Sequence, residues 1–250
     1  MIRRIARAWP TAWLIGAAAC GRLAFDNATP AQLDGRTPDA ADATIDAAPE
    51  IDARAPDDAA SSGPIPIHEY RFENNLADER GGPTLVGLGG AFTADGYRFA
   101  ANQGVVGALT LPPSVYTVDI TFAFDTLASW RKILDFKGLG SDNGLYTFDT
   151  SLQFVVVAGS VFATSPPVLA TATSARATLS RDAAGHVIGS VDGIPLFNFD
   201  DTDGVATLDA SQSATFFIDD QVTGSGEASA GVVRRIRIYD AALNAGALGP

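Results

Sequence analysis

Residues 115–124 read Val-Tyr-Thr-Val-Asp-Ile-Thr-Phe-Ala-Phe, and this stretch decides the fold class of the 250-residue chain. Apolar side chains alternate along it with polar or small ones, and Ile65–Phe72 has the same alternation. A period of two places one face of a β-strand in a core and the other face outside it. Both segments are therefore predicted to be strands.

The rest of the sequence after residue 65 has the same short, alternating texture. Turn signals such as Asp142-Asn143-Gly144 and Asp192-Gly193 separate the segments, and helical periodicity is absent except in a short tail at 240–248. Many short strands with frequent turns predict an all-β, two-sheet antiparallel sandwich over residues 65–250. Further strands are predicted at 132–136, 145–149, 152–157, 175–180, 187–191, 215–218 and 232–239.

Three motifs resemble a known family. Tyr70–Asp78 resembles the opening strand and loop of laminin-G-like domains in bacterial surface proteins, and Val191-Asp192-Gly193 is similar to their central hairpin. Ile236–Leu243, which contains Arg-Ile-Tyr followed by Ala-Leu, resembles their closing strand. The resemblance implies a jelly-roll sandwich of the concanavalin A-like superfamily, in which the first and last strands lie together.

The N-terminus has the features of an export signal. Arg3, Arg4 and Arg7 precede an apolar run from Ala8 to Ala19, which is too short to cross a hydrocarbon core of about 30 Å. The run resembles the bacterial lipobox, in which small residues precede a cysteine that becomes lipidated, here Cys20. We therefore predict a signal peptide at 1–19 and an exported protein whose lipid anchor binds a membrane. An ordinary signal peptide and a twin-arginine route are the alternatives.

Two further observations refine the location. Cys20 is the only cysteine, so the exported chain cannot form an internal disulfide. Gly21, rather than an acidic residue, follows it, and this favours delivery to the outer membrane of the cell envelope.

Residues 20–64 form the predicted linker, and the stretch 27–64 contains eight acidic residues but only two arginines. Self-repelling charge and proline favour an extended, disordered tether.

The case for catalysis from sequence is thin. The globular part holds four glutamates, at positions 69, 73, 79 and 227, and no motif pairs any two of them. Glycoside hydrolysis needs two carboxylates about 5–10 Å apart. The sequence therefore favours a protein that is not an enzyme.

A calcium site is predicted in a short glycine-rich loop before the last strand. Asp219, Asp220 and Glu227 supply oxygen ligands there, as Ca²⁺ requires. The resemblance implies a structural calcium ion where the first and last strands meet, and this adds Glu73 and Asp78 as co-ligands. The alternative is a solvated acidic loop.

Trp130 and Arg131 are the predicted ligand-binding residues, because a tryptophan beside basic side chains suits a hydroxylated or acidic ligand. The alternative is a tryptophan that only covers one end of the sandwich. Twenty acidic residues against eleven basic ones after position 65 argue against nucleic acid. The sequence thus favours a surface-tethered, non-catalytic binding or adhesion module with carbohydrate or an envelope protein as partner. A glycan-active hydrolase and a purely structural envelope lipoprotein are the alternatives.

Overall fold

A computed structural model describes residues 63–109, 112–135, 137–156, 161–208, 213–220 and 226–249. The predicted signal peptide, Cys20 and nearly all of the linker lie outside these ranges. Within them, no helix has the length and apolar character needed to cross a membrane.

The described residues form fifteen β-strands and one 3-10 turn. The predicted helical tail is confined to that turn, Ala245–Ala247. The strands are β1 (His68–Tyr70), β2 (Val86–Gly87), β3 (Ala91–Thr93), β4 (Gly96–Phe99), β5 (Val105–Gly107), β6 (Tyr116–Phe124), β7 (Trp130–Asp135), β8 (Asn143–Phe148), β9 (Ser151–Val156), β10 (Val161–Pro167), β11 (Ala175–Arg181), β12 (His186–Val191), β13 (Ile194–Asp200), β14 (Ala214–Phe216) and β15 (Gly231–Tyr239).

The strands form two antiparallel sheets, which confirms the predicted β-sandwich. The eight-stranded sheet has the order β13-β12-β11-β6-β15-β4-β3, with β1 also paired to β15. The seven-stranded sheet has the order β10-β9-β8-β7-β14-β5-β2. Alternate side chains of both sheets meet in one core, as the period of two in the sequence requires.

Phenylalanines fill the centre of this core. The ring of Phe217, just after β14, lies 4.7 Å from the ring of Phe99, 5.6 Å from that of Phe122 and 5.7 Å from that of Phe124, centre to centre. These contacts join the two sheets, because Phe99 and both β6 rings belong to the eight-stranded sheet. Aromatic packing of this kind adds to the stabilisation that burial gives.

The last strand, β15, has a bulge that splits one of its edges between two partners. Residues 231–233 pair with β4 and residues 236–238 pair with β1, as the implied contact of first and last strands requires. Along the β6 edge the register shifts between Val233 and Arg235, so Arg234 is the extra residue. The backbone fits closely here, because a Cβ on Gly96 would lie 2.3 Å from the carbonyl oxygen of Val233.

Candidate functional site

The outer face of the seven-stranded sheet carries the polar and aromatic side chains that the sequence singled out. Leu145 and Ile133 point into the core. Lys132 and Tyr146 are paired across β7 and β8, and neither belongs to that core, so both lie on the outer face. Trp130 and Phe148 are the next outer pair along the same two strands.

Trp130 is the centre of an aromatic group on this face. Its ring lies 4.8 Å from the ring of Phe148 and 6.0 Å from that of Tyr146, centre to centre. Tyr146 is buried, Trp130 is partly exposed and Phe148 is 38% exposed. The group therefore offers an aromatic surface to solvent with a buried tyrosine beneath it.

Arg131 points differently from its neighbour. Its Nη1 donates to the backbone carbonyl oxygens of Trp130, at 2.7 Å, and Gly226, at 3.2 Å. These bonds hold Gly226 against β7. Arg131 was predicted with Trp130 as a ligand contact, and the structure uses its guanidinium to join Gly226 to the strand.

Three carboxylates converge beside the aromatic group. One oxygen from each of Asp142, Asp220 and Glu227 lies within 4.8 Å of the others. Asp219 is adjacent: its Oδ2 accepts a 2.9 Å hydrogen bond from the backbone N–H of Glu227, while its buried Oδ1 has no hydrogen-bond partner among the described residues. We call these four residues the acidic group.

Lys132 places a buried positive charge in the acidic group. Its Nζ donates to Asp220 Oδ2 at 2.8 Å and forms an ion pair of 2.8 Å with Asp135 Oδ2, at an angle that does not suit a hydrogen bond. The side chains of all three residues are fully buried. Tyr146 donates to the same Asp220 oxygen at 3.1 Å, and its ring centre lies 5.0 Å from Lys132 Nζ.

The crowding of carboxylates changes their acidity. Burial, together with repulsion from Asp142, Asp219 and Asp220, raises the pKa of Glu227 to about 7. Burial and a hydrogen bond with Asp220 raise the pKa of Asp142 to about 6. The pKa of Asp219 is also raised, mainly by burial. Protons therefore remain in the acidic group at near-neutral pH unless a cation replaces them.

The structure brings together three of the five predicted metal ligands and places the other two elsewhere. Asp219, Asp220 and Glu227 lie together, whereas Glu73 and Asp78 do not join them. Asp78 accepts hydrogen bonds from His68 at 2.6 Å and from the backbone N–H of Glu69 at 2.9 Å. Burial would raise the pKa of Asp78, but these bonds and one from Arg80 hold it below its usual value. Glu73 is exposed on the side of the eight-stranded sheet.

Asp142 is the member of the acidic group that sequence analysis missed. It lies immediately before β8, in a segment that the sequence marked only as a turn. In sequence it lies 78 residues from Asp220, and only the pairing of β7 with both β8 and β14 brings the two together. The available sequence signal was the acidic residue itself, because Asp142 comes just before β8, and β8 pairs with the strand that carries Lys132.

The fold is a two-sheet antiparallel β-sandwich, with aromatic and acidic side chains on the outer face of one sheet. Among solved structures, Trypanosoma rangeli sialidase in complex with sialic acid matches with a TM-score of 0.56 and 16% identity, over 72% of this chain and 31% of the sialidase. The ligand-binding domain of botulinum neurotoxin serotype D, in complex with N-acetylneuraminic acid, matches with a TM-score of 0.55 and 10% identity, over 73% of this chain and 49% of that one.

A third structure matches over nearly its whole length. Domain 4 of AbnA, a GH43 extracellular arabinanase from Geobacillus stearothermophilus, in complex with arabinotriose, has a TM-score of 0.55 and 16% identity, over 74% of this chain and 97% of the domain. The present chain thus spans about a third of the sialidase but the equivalent of this entire domain. No protein-family model and no curated protein matches the sequence. At these identities the similarity defines the fold.

Proposed function

We propose that this protein is a non-catalytic carbohydrate-binding module of the laminin-G/concanavalin A-like superfamily, tethered to the cell envelope through Cys20. The observation that carries the proposal is the adjacency of the Trp130 aromatic surface and the acidic group on one outer face. An aromatic ring packs against the C–H face of a sugar ring, and carboxylates accept hydrogen bonds from its hydroxyls. The arabinotriose complex of domain 4 of AbnA, which matches over 97% of its length, supports the same class of ligand.

The two parts of the site have different roles in this proposal. Trp130 and Phe148 supply the apolar platform, and Glu227, the partly exposed member of the acidic group, supplies the directional contact. Asp220 is too deeply buried to reach a ligand, so it positions Lys132 and Tyr146 instead. Arg131 holds the segment that carries Glu227.

A neutral-glycan array followed by titration calorimetry tests the proposal. Trp130→Ala should lower the affinity for the tightest-binding glycan by about tenfold or more, as loss of a central aromatic contact does. Phe162→Ala is the matched control, because Phe162 is 46% exposed on β10 and contacts Phe199 instead of the Trp130 group. Absence of binding across the array, or equal losses in the two variants, would contradict the proposal. If no glycan on the array binds, a purely structural envelope lipoprotein becomes the favoured alternative.

Calcium is the proposed cofactor of the acidic group. Asp142, Asp220 and Glu227 would hold the ion, and the unpartnered buried oxygens of Asp142 and Asp219 suit the same role. Lys132 already neutralises part of the charge, which lowers the expected affinity. The domain should melt at a higher temperature in millimolar Ca²⁺ than in chelator. An identical melting temperature in the two conditions would remove calcium from the proposal.

The raised pKa of Glu227 favours one second candidate, a retaining glycoside hydrolase. A carboxyl group with a pKa of about 7 is protonated often enough at neutral pH to act as a general acid. One of its carboxylate oxygens lies within 4.8 Å of one from Asp142, a separation nearer to the retaining than to the inverting geometry. Release of reducing ends from a bound glycan, abolished in Glu227→Gln without loss of binding, would establish this activity. Binding without release supports the module.

A further inference from the structure

Arginines are concentrated on the outer face of the eight-stranded sheet, opposite the Trp130 site. The domain after residue 65 has twenty acidic and eleven basic residues, a net charge of -9, so any cationic surface on it is local. Six of the eleven lie around this face: Arg71, Arg80, Arg176, Arg234, Arg235 and Arg237.

Strand register explains how the arginines come together. In one row across the sheet, Arg176 of β11 pairs with Thr121 of β6, and Thr121 pairs with Arg235 of β15. The row continues to Asp192, whose carboxylate accepts a 2.8 Å hydrogen bond from the backbone N–H of Arg176, so no carboxylate lies between the two guanidinium groups in it. The next row carries further acidic residues of the face, with Asp119 beside Arg237 and Glu69 on the far side.

The other arginines have partners. Asp119 accepts two hydrogen bonds from Arg237, at 3.0 and 2.8 Å. Arg176 donates to the backbone carbonyl oxygens of Ala245 at 3.0 Å and Leu248 at 2.6 Å. Arg176 also forms an ion pair of 3.7 Å with Asp119. The other ion pairs of this face join Arg71 and Arg80 to Glu69 and Arg234 to Asp95.

Arg235 differs from these neighbours. Its Nε is buried and has no hydrogen-bond partner within the described part of the chain, and no described carboxylate forms an ion pair with it. Burial and repulsion from Arg237 lower its pKa. A half-buried guanidinium without a partner is costly, and an anion bound beside it would remove that cost.

A cavity lies where Arg235 is accessible. The bulge at Arg234 separates β4 from β1 along the edge of β15, and a space of about 330 Å³ lies at that gap. Arg71, Glu73, Thr121, Arg234 and Arg235 line it. Its volume is at the lower end of the range for small-molecule sites, about 300–1,000 Å³, and suits a single sugar residue rather than an extended chain.

We propose that this cavity binds an acidic sugar residue of a polysaccharide, through its carboxylate or sulfate group. The planar guanidinium groups of Arg235 and Arg71 match the two oxygens of such a group. Glu73, exposed at the rim, can accept hydrogen bonds from the hydroxyls of a sugar ring, whereas a fully ionised inorganic anion offers it no donor. The site does not depend on the Trp130 surface, which lies on the other sheet.

Affinity electrophoresis of the full chain at neutral pH tests this site with three probes. Oligogalacturonate carries carboxylates, heparin fragments carry sulfates as well, and dextran oligosaccharide is neutral. Retardation by oligogalacturonate identifies a carboxylate as sufficient, and retardation by heparin alone identifies a sulfate. Arg235→Gln should weaken the interaction by about tenfold or more, the loss expected for hydrogen bonds to a charged group.

Matched controls separate a built site from general charge attraction. Arg98→Gln makes the same charge change at an exposed residue paired with Asp125, outside the cavity, and should leave binding within about twofold of wild type. Arg71→Gln serves as a second test if Arg235→Gln fails to fold. Equal losses in Arg98→Gln, unchanged binding in both cavity variants, or no binding to either acidic probe would overturn the proposal. Trp130→Ala should have no effect here, so failure of one site is distinguishable from failure of the other.

Discussion

Lys132 shows how one residue governs the acidic group. It is a fully buried ammonium that forms ion pairs of 2.8 Å with Asp135 and with Asp220, whose side chains are also fully buried. Removal of one partner of a buried ion pair leaves an uncompensated charge, which typically costs about 3–5 kcal/mol. We expect Lys132→Met to lower the free energy of unfolding by that amount in a urea titration.

The control for Lys132→Met is Lys137→Met. Lys137 donates to the backbone carbonyl oxygen of Thr207 and is partly exposed, so its replacement should cost about 1 kcal/mol. The double variant Lys132→Met, Asp220→Asn should recover part of the stability, because it removes one of the two stranded carboxylates. Equal losses at positions 132 and 137 would show that the buried ion pairs contribute little.

The acidic group also makes stability depend on pH. Glu227 and Asp142 have folded-state pKa values of about 7 and about 6, above their ordinary values. The folded state therefore holds protons that the unfolded state has lost, and the stability contributed by these groups falls as pH rises from about 4 to 7. In chelator, we expect denaturant midpoints to be higher at pH 5.5 than at pH 8.

Glu227→Gln tests the origin of this pH dependence. The amide mimics the protonated acid, so the variant should be at least as stable as wild type at pH 8 and its pH dependence should be flatter. Glu79→Gln, an exposed substitution away from the acidic group, should leave the slope unchanged. A slope of the opposite sign in wild type would mean that the carboxylates are ionised in the folded state.

The sequence alone predicted three of the four carboxylates of the acidic group, but neither Asp142 nor the burial of Lys132, and the reason is physical. Asp219, Asp220 and Glu227 are close along the chain, so composition and a turn signal sufficed to group them. Lys132 directly follows Trp130 and Arg131, the predicted ligand-binding residues, but its side chain is fully buried. Whether a lysine is buried depends on which loop covers its strand, and here that loop begins more than eighty residues later.

At the scale of elements, the long central strands were predictable, whereas the short strands β4 and β5 and the outermost strands were not. Segments such as β6 and β11 lie inside their sheet and alternate cleanly. The missed strands β10 and β13 are the outermost strands of their sheets, and both contain proline. An edge strand has one unpaired side, so it tolerates proline and exposed apolar residues and loses the alternation that sequence analysis needs.

The bulge in β15 is the element on which both pairings of that strand depend. Arg234 is the extra residue, and it lets Val233 and Ile236 both face the core while β4 and β1 pair on either side. Deletion of Arg234 would shift one part of the strand by one residue and turn its core side chains outward. We expect the deletion variant to lack the near-ultraviolet circular dichroism of a packed core.

Arg234→Ala is the control for that deletion, because it keeps the backbone length. Arg234 is exposed and its ion pair with Asp95 is exposed on both sides, so the change should cost less than about 1 kcal/mol. A folded deletion variant with wild-type stability would mean that β15 can pair in another register.

At the scale of the whole molecule, the two outer faces of the sandwich carry different chemistry. The seven-stranded sheet presents aromatics and carboxylates, whereas the eight-stranded sheet presents arginines. Because the sheets are packed back to back, the two proposed binding sites lie on opposite faces of one domain. Attachment at one terminus, as the lipobox-like sequence predicts, would leave both faces accessible only if the linker holds the domain away from the membrane.

That arrangement gives the last prediction, which concerns Cys20 and the linker together. Wild-type protein should incorporate labelled fatty acid and remain with membranes through a high-salt wash, whereas Cys20→Ser should do neither, because several acyl chains anchor a protein far more firmly than charge. Limited proteolysis of the membranes should cut between residues 27 and 64 and release a resistant fragment that begins near Ile65, since an acidic, proline-rich segment cannot bury its backbone. Ser61→Ala, which leaves the cysteine intact, is the control and should behave as wild type. Membrane retention of Cys20→Ser after the wash would contradict the lipid anchor, and first cuts within β6 or β11 would contradict the linker.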